Sequence, residues 1–262
     1  MLFSSPGSIL EILIYTPRFF TVFLVIPIFS TRIFFSSFAR NAVVIVFVIW
    51  FIMPGNIKIQ PSGLTSFWWL IIVIVIKEMI IGFFIGICFA MIFWSIDSVG
   101  QIIDSMRGAT ISSIFNPMLN ESTSITGSAL YYFLSVAFIV CGGVNVILSI
   151  IFDSYYRIDV TSFDITSSDY KGFVFNLWEC FIYLFLAFSL PFITIFSLCD
   201  IALSFINRMS PQLNAFSLSL PIKSIVSAFL LAIVVNTYPH TIILSIDNAK
   251  NNIYQHLIIS NE

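Results

Sequence analysis

The sequence predicts an all-α integral membrane protein with six or seven hydrophobic helical segments, and two observations support this prediction. Of the 262 residues, 59% are hydrophobic and only 9% are charged, whereas a soluble domain carries about 25% charged residues. So few charges cannot cover a water-soluble fold of this size, which argues against a soluble enzyme. The second observation is the length of the apolar stretches, since ~20 apolar residues in a helix cross a bilayer core about 30 Å thick.

The hydrophobic segments follow one another along the whole chain, and most are interrupted by a proline, a glycine or a charge. In order they are Ile9–Ser30 (interrupted by Glu11, Pro17, Arg18 and Pro27), Asn41–Met53 (ended by Pro54-Gly55), Leu64–Ile76, Met79–Ile96, Gly127–Phe152 (interrupted by Gly142-Gly143), Phe173–Leu198 (containing Pro191) and Leu213–Val235, with the apolar remnant Thr241–Ile246 behind it. The second segment is too short to cross a bilayer, and residues 64–96 are too long for one crossing. Because irregular backbone inside a membrane must be surrounded by protein or a wet cavity, these segments predict one membrane domain, 1–262, whose helices are shielded by partner subunits.

Polar stretches separate the segments and predict the loops. They occupy 54–63, 97–127, 153–172, 207–212 and 247–262. The stretch 153–172 is rich in Asp, Ser and Thr and predicts a solvent loop, while 236–262 is a variable tail whose polar end is expected to be mobile or weakly helical. The net charge of −2 predicts no attraction to nucleic acid.

The pair Lys77-Glu78 stands between two apolar segments, where ionisable groups are costly and usually functional. Neighbouring helical residues point about 100° apart, so each charge needs its own partner. Two interpretations stay open: a buried interhelical ion pair or ion path, and a hairpin turn that keeps both groups wet. Small residues then follow at Gly82, Gly86 and Ala90, and this spacing favours a flat face for helix packing over a ligand groove.

A second candidate region extends from Asp97 to Pro117. Asp97, Gly100 and Asp104 fall near one helix face, Asp104 and Arg107 are three residues apart, and Gly108 is expected to end the helix. The uncharged stretch Ala-Thr-Ile-Ser-Ser-Ile-Phe follows. Such a stretch could line or close a pore, and it could also be an ordinary extramembrane loop.

The third region, Cys199–Phe216, predicts a tight helical hairpin. Ser210 and Pro211 suit the N-cap and first position of a new helix. Asp200 and Arg208 are two turns apart and could share a face without touching. Arg208, Gln212 and Asn214 could bond to a neighbouring subunit, or could belong to a capped surface turn.

Catalytic and cofactor chemistry has little support in the sequence. The two histidines, His240 and His256, have no nucleophile or carboxylate in register, and no nucleophile-elbow, zinc-protease or phosphate-loop motif is present. The cysteines are separated and lie in apolar runs, so neither a metal site, a cofactor nor a disulfide framework is expected. Two other functions remain as alternatives: a self-sufficient small-solute transporter with Lys77, Glu78 and Asp104 as coupling groups, and an intramembrane protease using Asp200.

Three blocks of the chain resemble the FliR/SpaR/YscT family, the T subunit of the type III secretion export apparatus, and most closely its virulence-type branch. They are Arg40-Asn-Ala-Val-Val, the stretch from Lys77-Glu78 through Asp97-Ser-Val-Gly-Gln-Ile-Ile-Asp-Ser-Met-Arg-Gly-Ala-Thr to Asn116-Pro117, and the stretch from Leu190-Pro191 through Arg208-Met-Ser-Pro-Gln-Leu-Asn-Ala-Phe to Lys223-Ser224. The chain departs from the virulence pattern at Met106, where Gln is usual, and at Asn116, where Asp is usual.

The resemblance implies a non-enzymatic channel subunit whose helices pack as hairpins in a hetero-oligomeric, helical export gate. The implied partner proteins are the R and S subunits, together with the U and V subunits. The implied substrates are unfolded secreted proteins, and the implied location is the lipid of the bacterial inner membrane, within the secretion basal body. The implied plug residues of the lumen loop are Met106, Arg107, Gly108, Ala109, Thr110, Ile111, Ser112, Ser113, Asn116 and Pro117. The expected assembly and packing residues are Lys77, Glu78, Gly82, Gly86, Ala90, Asp200, Arg208, Pro211, Gln212 and Asn214.

Overall fold

Regular structure in the computed structural model is entirely helical within the residues that it describes, which are 6–30, 36–52, 68–109, 124–158, 160, 170–210 and 215–258. The α-helices are α1 (Pro6–Val25), α2 (Ser37–Ile52), α3 (Trp68–Met106), α4 (Ile125–Val140), α5 (Gly143–Arg157), α6 (Tyr170–Met209) and α7 (Ala215–Ile253). A 3₁₀ turn at Pro27–Phe29 follows α1, and a π turn at Tyr254–Ile258 follows α7. The all-α class is confirmed.

Among the described residues, three helices are long and apolar enough to cross a membrane, over Ile71–Met106, Lys171–Met209 and Ser217–Val234. The bent pair α4 and α5 passes the same test as a fourth span. With 39 residues, α3 is about 58 Å long at 1.5 Å per residue. The described part of the predicted segment Leu64–Ile76 and the whole of Met79–Ile96 therefore belong to one helix, which continues through Lys77-Glu78 without a break.

The predicted interruption at Gly142-Gly143 is confirmed, since α4 and α5 meet there at an angle of 64°. Gly142 has a φ of 79°, a left-handed conformation that glycine adopts without strain. Its N–H donates to the carbonyl of Ile139 at 3.0 Å, which closes the last turn of α4. A Cβ on Gly143 would collide with the ring of Phe138.

Two predicted polar regions are more ordered than the sequence indicated. Helix α5 continues to Arg157 with Ser154 and Tyr155 buried, so the first residues of the predicted 153–172 loop are helical. Helix α7 continues to Ile253 and is followed by the π turn, so of the two expectations for the polar end, mobile or weakly helical, the structure has the helical one over 247–258. The reason is an apolar face with helical spacing, on which Ala249 and Ile253 are buried beneath the polar residues.

The chain divides into two compact units. Unit 1 comprises Met1–Ala90, Val144–Val174 and Asn248–Glu262, and unit 2 comprises Met91–Gly143 and Phe175–Asp247. In unit 1, α1 packs on α2, and an aromatic cluster joins α1, α2 and α5 with ring centroids 5.0–6.0 Å apart. In unit 2, the ring of Phe93 packs edge-on against Tyr131 and Phe138 of α4.

Candidate functional site

A buried ion pair links α1 to α3 inside unit 1. Arg18 and Glu78 both have 0% side-chain exposure, and they pair in bidentate geometry, with Nε to Oε2 at 2.7 Å and Nη2 to Oε1 at 2.9 Å. Two parallel hydrogen bonds of this kind fix the relative orientation of the two groups and strengthen their attraction. The two helices are therefore held in one register by a charge-assisted contact.

Helix α5 completes the surroundings of the Arg18 guanidinium. Nη1 of Arg18 donates to the Ser154 hydroxyl at 2.8 Å, and Cζ of Arg18 lies 3.9 Å from the centroid of the Tyr155 ring. The Tyr155 hydroxyl in turn donates to the carbonyl of Tyr15 at 2.8 Å. A buried ion pair is tolerated when its remaining donors and acceptors are satisfied, and these contacts supply that satisfaction.

Lys77, the neighbour of Glu78, is also buried and points elsewhere. Its ammonium donates to the carbonyl of Val160 at 2.8 Å and lies 3.6 Å from Oε1 of Glu78. Of the two interpretations left open by the sequence, the buried interhelical ion pair is confirmed for Glu78, and the wet hairpin turn is wrong. Arg18 was missed as a site residue, although an arginine inside an apolar segment is itself a signal.

The small-residue face of α3 packs against α1 of the same chain. A Cβ on Gly82 would collide with the Thr21 hydroxyl and come within 2.6 Å of the Arg18 carbonyl. A Cβ on Gly86 would lie 3.0 Å from Val25, and Ala90 is fully buried. These contacts lie within the chain, and a role of the three residues in assembly with other subunits stays a prediction.

In unit 2, the end of α3 is built so that its last carbonyls all have donors. The N–H groups of Arg107, Gly108 and Ala109 donate to the carbonyls of Ile103, Ser105 and Asp104, at 3.1, 3.2 and 3.0 Å. Gly108 has a φ of 77°, so the helix ends in a glycine cap of the Schellman type. The predicted stop at Gly108 is confirmed.

The remaining carbonyl of the last turn, that of Met106, is bonded by a side chain from another helix. The ammonium of Lys223 on α7 donates to it at 3.2 Å and to the Asp200 carboxylate on α6 at 2.8 Å. A cation at this place is favourable because the C-terminus of a helix carries a partial negative charge. The prediction for Asp200 omitted this partner, because the contact joins residues 23 positions apart.

Asp104 connects the end of α3 to the start of α4. Its carboxylate pairs with Arg107 at 2.6 Å, as the spacing predicted, and accepts bonds from the Ser124 hydroxyl at 2.6 Å and the Thr126 N–H at 2.9 Å. Ser124 is the N-cap of α4 and accepts from Gly127 N–H at 2.8 Å. A carboxylate here also meets the positive end of the helix dipole.

The same two helices cross in direct backbone contact. A Cβ on Gly100 would collide with the backbone of Gly127. Residues 109 and 124, which flank the stretch 110–123, are thus both set by one α3–α4 junction made of the Asp104 contacts and this glycine crossing.

The predicted site residues are distributed as follows. Met106, Arg107, Gly108 and Ala109 lie together beside Asp104 at the α3–α4 junction. Arg208 is exposed near the end of α6, and Asp200 pairs with Lys223. Outside the described residues lie Thr110, Ile111, Ser112, Ser113, Asn116, Pro117, Pro211, Gln212 and Asn214.

The family model and the individual relatives indicate the same protein family for this chain. Residues 9–249 match the model of the bacterial export proteins, family 1. The chain belongs to this family. It is 38% identical over 152 residues to the secretion system apparatus protein SsaT of Salmonella typhimurium, a match that covers 58% of this chain and 59% of that protein. It is 32% identical to the Yop proteins translocation protein T of Yersinia pestis, covering 83% of this chain and 82% of the relative.

Two further relatives carry the names of a surface presentation protein and a flagellar protein. The surface presentation of antigens protein SpaR of Shigella flexneri is 30% identical over 84% of this chain and 83% of its own length. A flagellar biosynthetic protein FliR of Buchnera aphidicola is 26% identical over 86% of this chain and 88% of its own length. The chain is thus a membrane protein of an export family whose members carry the names of secretion and flagellar components.

Proposed function

We propose that this protein is a structural channel subunit of a type III protein secretion export apparatus, and that it helps to form and seal the inner-membrane entry pore for unfolded secreted proteins. The observation that supports this most directly is the α3–α4 junction. It holds residues 109 and 124, which flank the stretch 110–123, and the first part of that stretch, 110–117, carries no charge. An uncharged segment so anchored can obstruct a narrow lumen, because apolar constrictions resist wetting.

We further propose that the chain assembles with the R and S subunits, and with the U and V subunits. The name of one relative, a secretion system apparatus protein, supports a complex of several subunits. Most side chains of Ser217–Val234 are not buried within the chain. Asp200 and Arg208 are exposed near the C-terminal end of α6, among mostly apolar side chains. Charged groups on such a surface are costly in lipid, so protein is the better cover for this part of α6.

The sealing role is tested by deleting residues 109–115 and measuring ion leak through the assembled complex in liposomes. We expect the deletion to raise the leak, and an unchanged conductance would refute the role. Deleting seven residues within 161–169, between the described ends of α5 and α6, is the matched control, since that stretch is not assigned to the seal.

The assembly role is tested by co-purification with the partner subunits. Arg208→Ala is the sharper variant because the side chain is exposed, whereas Glu78→Ala also breaks the internal pair with Arg18. We expect both to impair co-purification, and Arg157→Ala, at an exposed position ending α5, to leave it intact. Normal assembly of the Arg208 variant would remove this residue from the interface.

The alternatives receive no support from the geometry. A solute transporter would need available coupling groups, but Glu78 is engaged by Arg18, and Asp104 by Arg107, Ser124 and Thr126. An aspartyl protease would need a free Asp200 carboxylate, which pairs with Lys223. A lone chain that is stable in lipid and moves solute unaided would nevertheless restore the transporter.

A further inference from the structure

Lys223 is the point at which three helices of unit 2 meet. Its ammonium reaches the Met106 carbonyl of α3 at 3.2 Å and the two Asp200 oxygens of α6 at 2.7 and 2.8 Å. We propose that Lys223 is a positioning residue that holds the last turn of α3, and with it Arg107–Ala109, against α6 and α7. This inference rests on the proposed function, because that turn sets where the sealing stretch begins.

The distribution of donors at the end of α3 supports this role. Three of the last four carbonyls are bonded by the backbone of the glycine cap, which forms from local sequence alone. Met106 is the exception, since its carbonyl takes its donor from α7. The cap therefore ends the helix, while Lys223 fixes the ended helix to its neighbours.

A simple ion pair between α6 and α7 is the competing explanation, and exposure separates the two. The Asp200 side chain is 51% exposed, whereas that of Lys223 is 9% exposed. Solvent partly screens the half-exposed carboxylate, which weakens the pair. The mostly buried ammonium also meets the partial negative charge of the α3 terminus, where a cation is stabilised.

The test compares variants in the complex assembled with its partner subunits. Lys223→Met removes both bonds, Lys223→Arg retains a cationic donor, and Asp200→Lys combined with Lys223→Glu restores an α6–α7 pair while placing an acceptor against the Met106 carbonyl. Lys171→Met, at an exposed lysine, is the control. Two readouts are taken: hydrogen exchange of peptides spanning 103–109, and ion leak in liposomes.

We expect Lys223→Met to accelerate exchange in 103–109 about tenfold, which equals about 1.4 kcal/mol, and to raise the leak. Lys223→Arg is expected to keep both the exchange rate and the leak near their wild-type values. The double variant Asp200→Lys with Lys223→Glu is expected to behave like Lys223→Met. Should Lys223→Met not assemble, Lys223→Gln, which keeps an uncharged donor, is expected to give intermediate exchange.

Three results would overturn the proposal. One is unchanged exchange in Lys223→Met, or in Lys223→Gln where it replaces that variant. Another is wild-type exchange and leak in the double variant Asp200→Lys with Lys223→Glu, which would mean that only the α6–α7 ion pair matters. The third is a wild-type leak in Lys223→Met when deletion of 109–115 does raise it, which would leave the sealing role standing and remove Lys223 from it. If the deletion itself causes no leak, the proposed function fails, and the exchange data still decide whether Lys223 holds the turn.

Discussion

Separate replacement of Glu78 and Arg18 should destabilise the protein by different amounts, because the two changes leave different charges behind. The buried cluster holds two cations, Arg18 and Lys77, and one anion, Glu78. Arg18→Met leaves the Lys77–Glu78 neighbours, which are 3.6 Å apart, with a formal charge of zero. Glu78→Gln leaves two buried cations without a counter-ion.

The expected magnitudes follow from the geometry. Charges about 4 Å apart interact by about 4 kcal/mol at an effective dielectric constant of 20, and removing one partner of a buried pair costs about 3–5 kcal/mol. We therefore expect about 3 kcal/mol for Arg18→Met and about 5 kcal/mol for Glu78→Gln. The double variant should cost less than the sum, since residues in one network are not additive.

The assay is thermal unfolding of the detergent-solubilised complex. The quantity measured at each temperature is the fraction that remains monodisperse on size exclusion. Arg157→Met and Glu179→Gln are the matched controls, because both side chains are exposed and such changes usually stay within about 0.5 kcal/mol. If Glu78→Gln melted at or above the temperature of Arg18→Met, or if the double variant were additive, the charge-balance reasoning would be wrong.

Three further predictions concern other contacts. Gly82→Val should cost about 1–3 kcal/mol by overpacking against Thr21, measured in the same unfolding assay, and a melting temperature equal to wild type would show that α1 can move away. Asp104→Asn should cost about 1–2 kcal/mol through its weakened bonds to the α4 N-terminus, seen as faster hydrogen exchange in 124–128; unaltered exchange there would contradict it. Burial and the hydrogen bond to Asp153 raise the pKa of Tyr254 to about 12, so the neutral phenol is favoured in the folded state. Its stabilisation is present below pH 10 and lost between about pH 10 and 12, and Tyr254→Phe should flatten this part of the stability profile; identical profiles would refute the shift.

The sequence was sufficient for the features that depend on local chemistry. The helical class, the break at Gly142-Gly143, the stop at Gly108 and the Asp104–Arg107 pair each follow from residues within a few positions of one another. The end at Gly108 is a good example, because its cap needs only a left-handed glycine and backbone donors that come next in the chain.

Long-range contacts explain what the sequence left undecided or missed. Lys77-Glu78 could be a turn or a buried pair because the deciding partner, Arg18, lies 60 residues away. Lys223 presented the same difficulty, since its acceptor at Met106 is 117 residues distant. The sequence left the polar end of the tail open between mobile and weakly helical, because its Asn residues obscured the buried face at Ala249 and Ile253.

The length of α3 sets a requirement on its environment. Its candidate membrane span, Ile71–Met106, has 36 residues and measures about 54 Å, against a hydrocarbon core of about 30 Å. Fitting that length within the core would take a tilt of roughly 56°, beyond the range of about 0–40° in which membrane helices lie. At a tilt of about 40° the core takes about 39 Å of this span, so about 15 Å must lie outside the hydrocarbon. The last ten residues, Asp97–Met106, have that length at 1.5 Å per residue and carry the polar side chains suited to such a place.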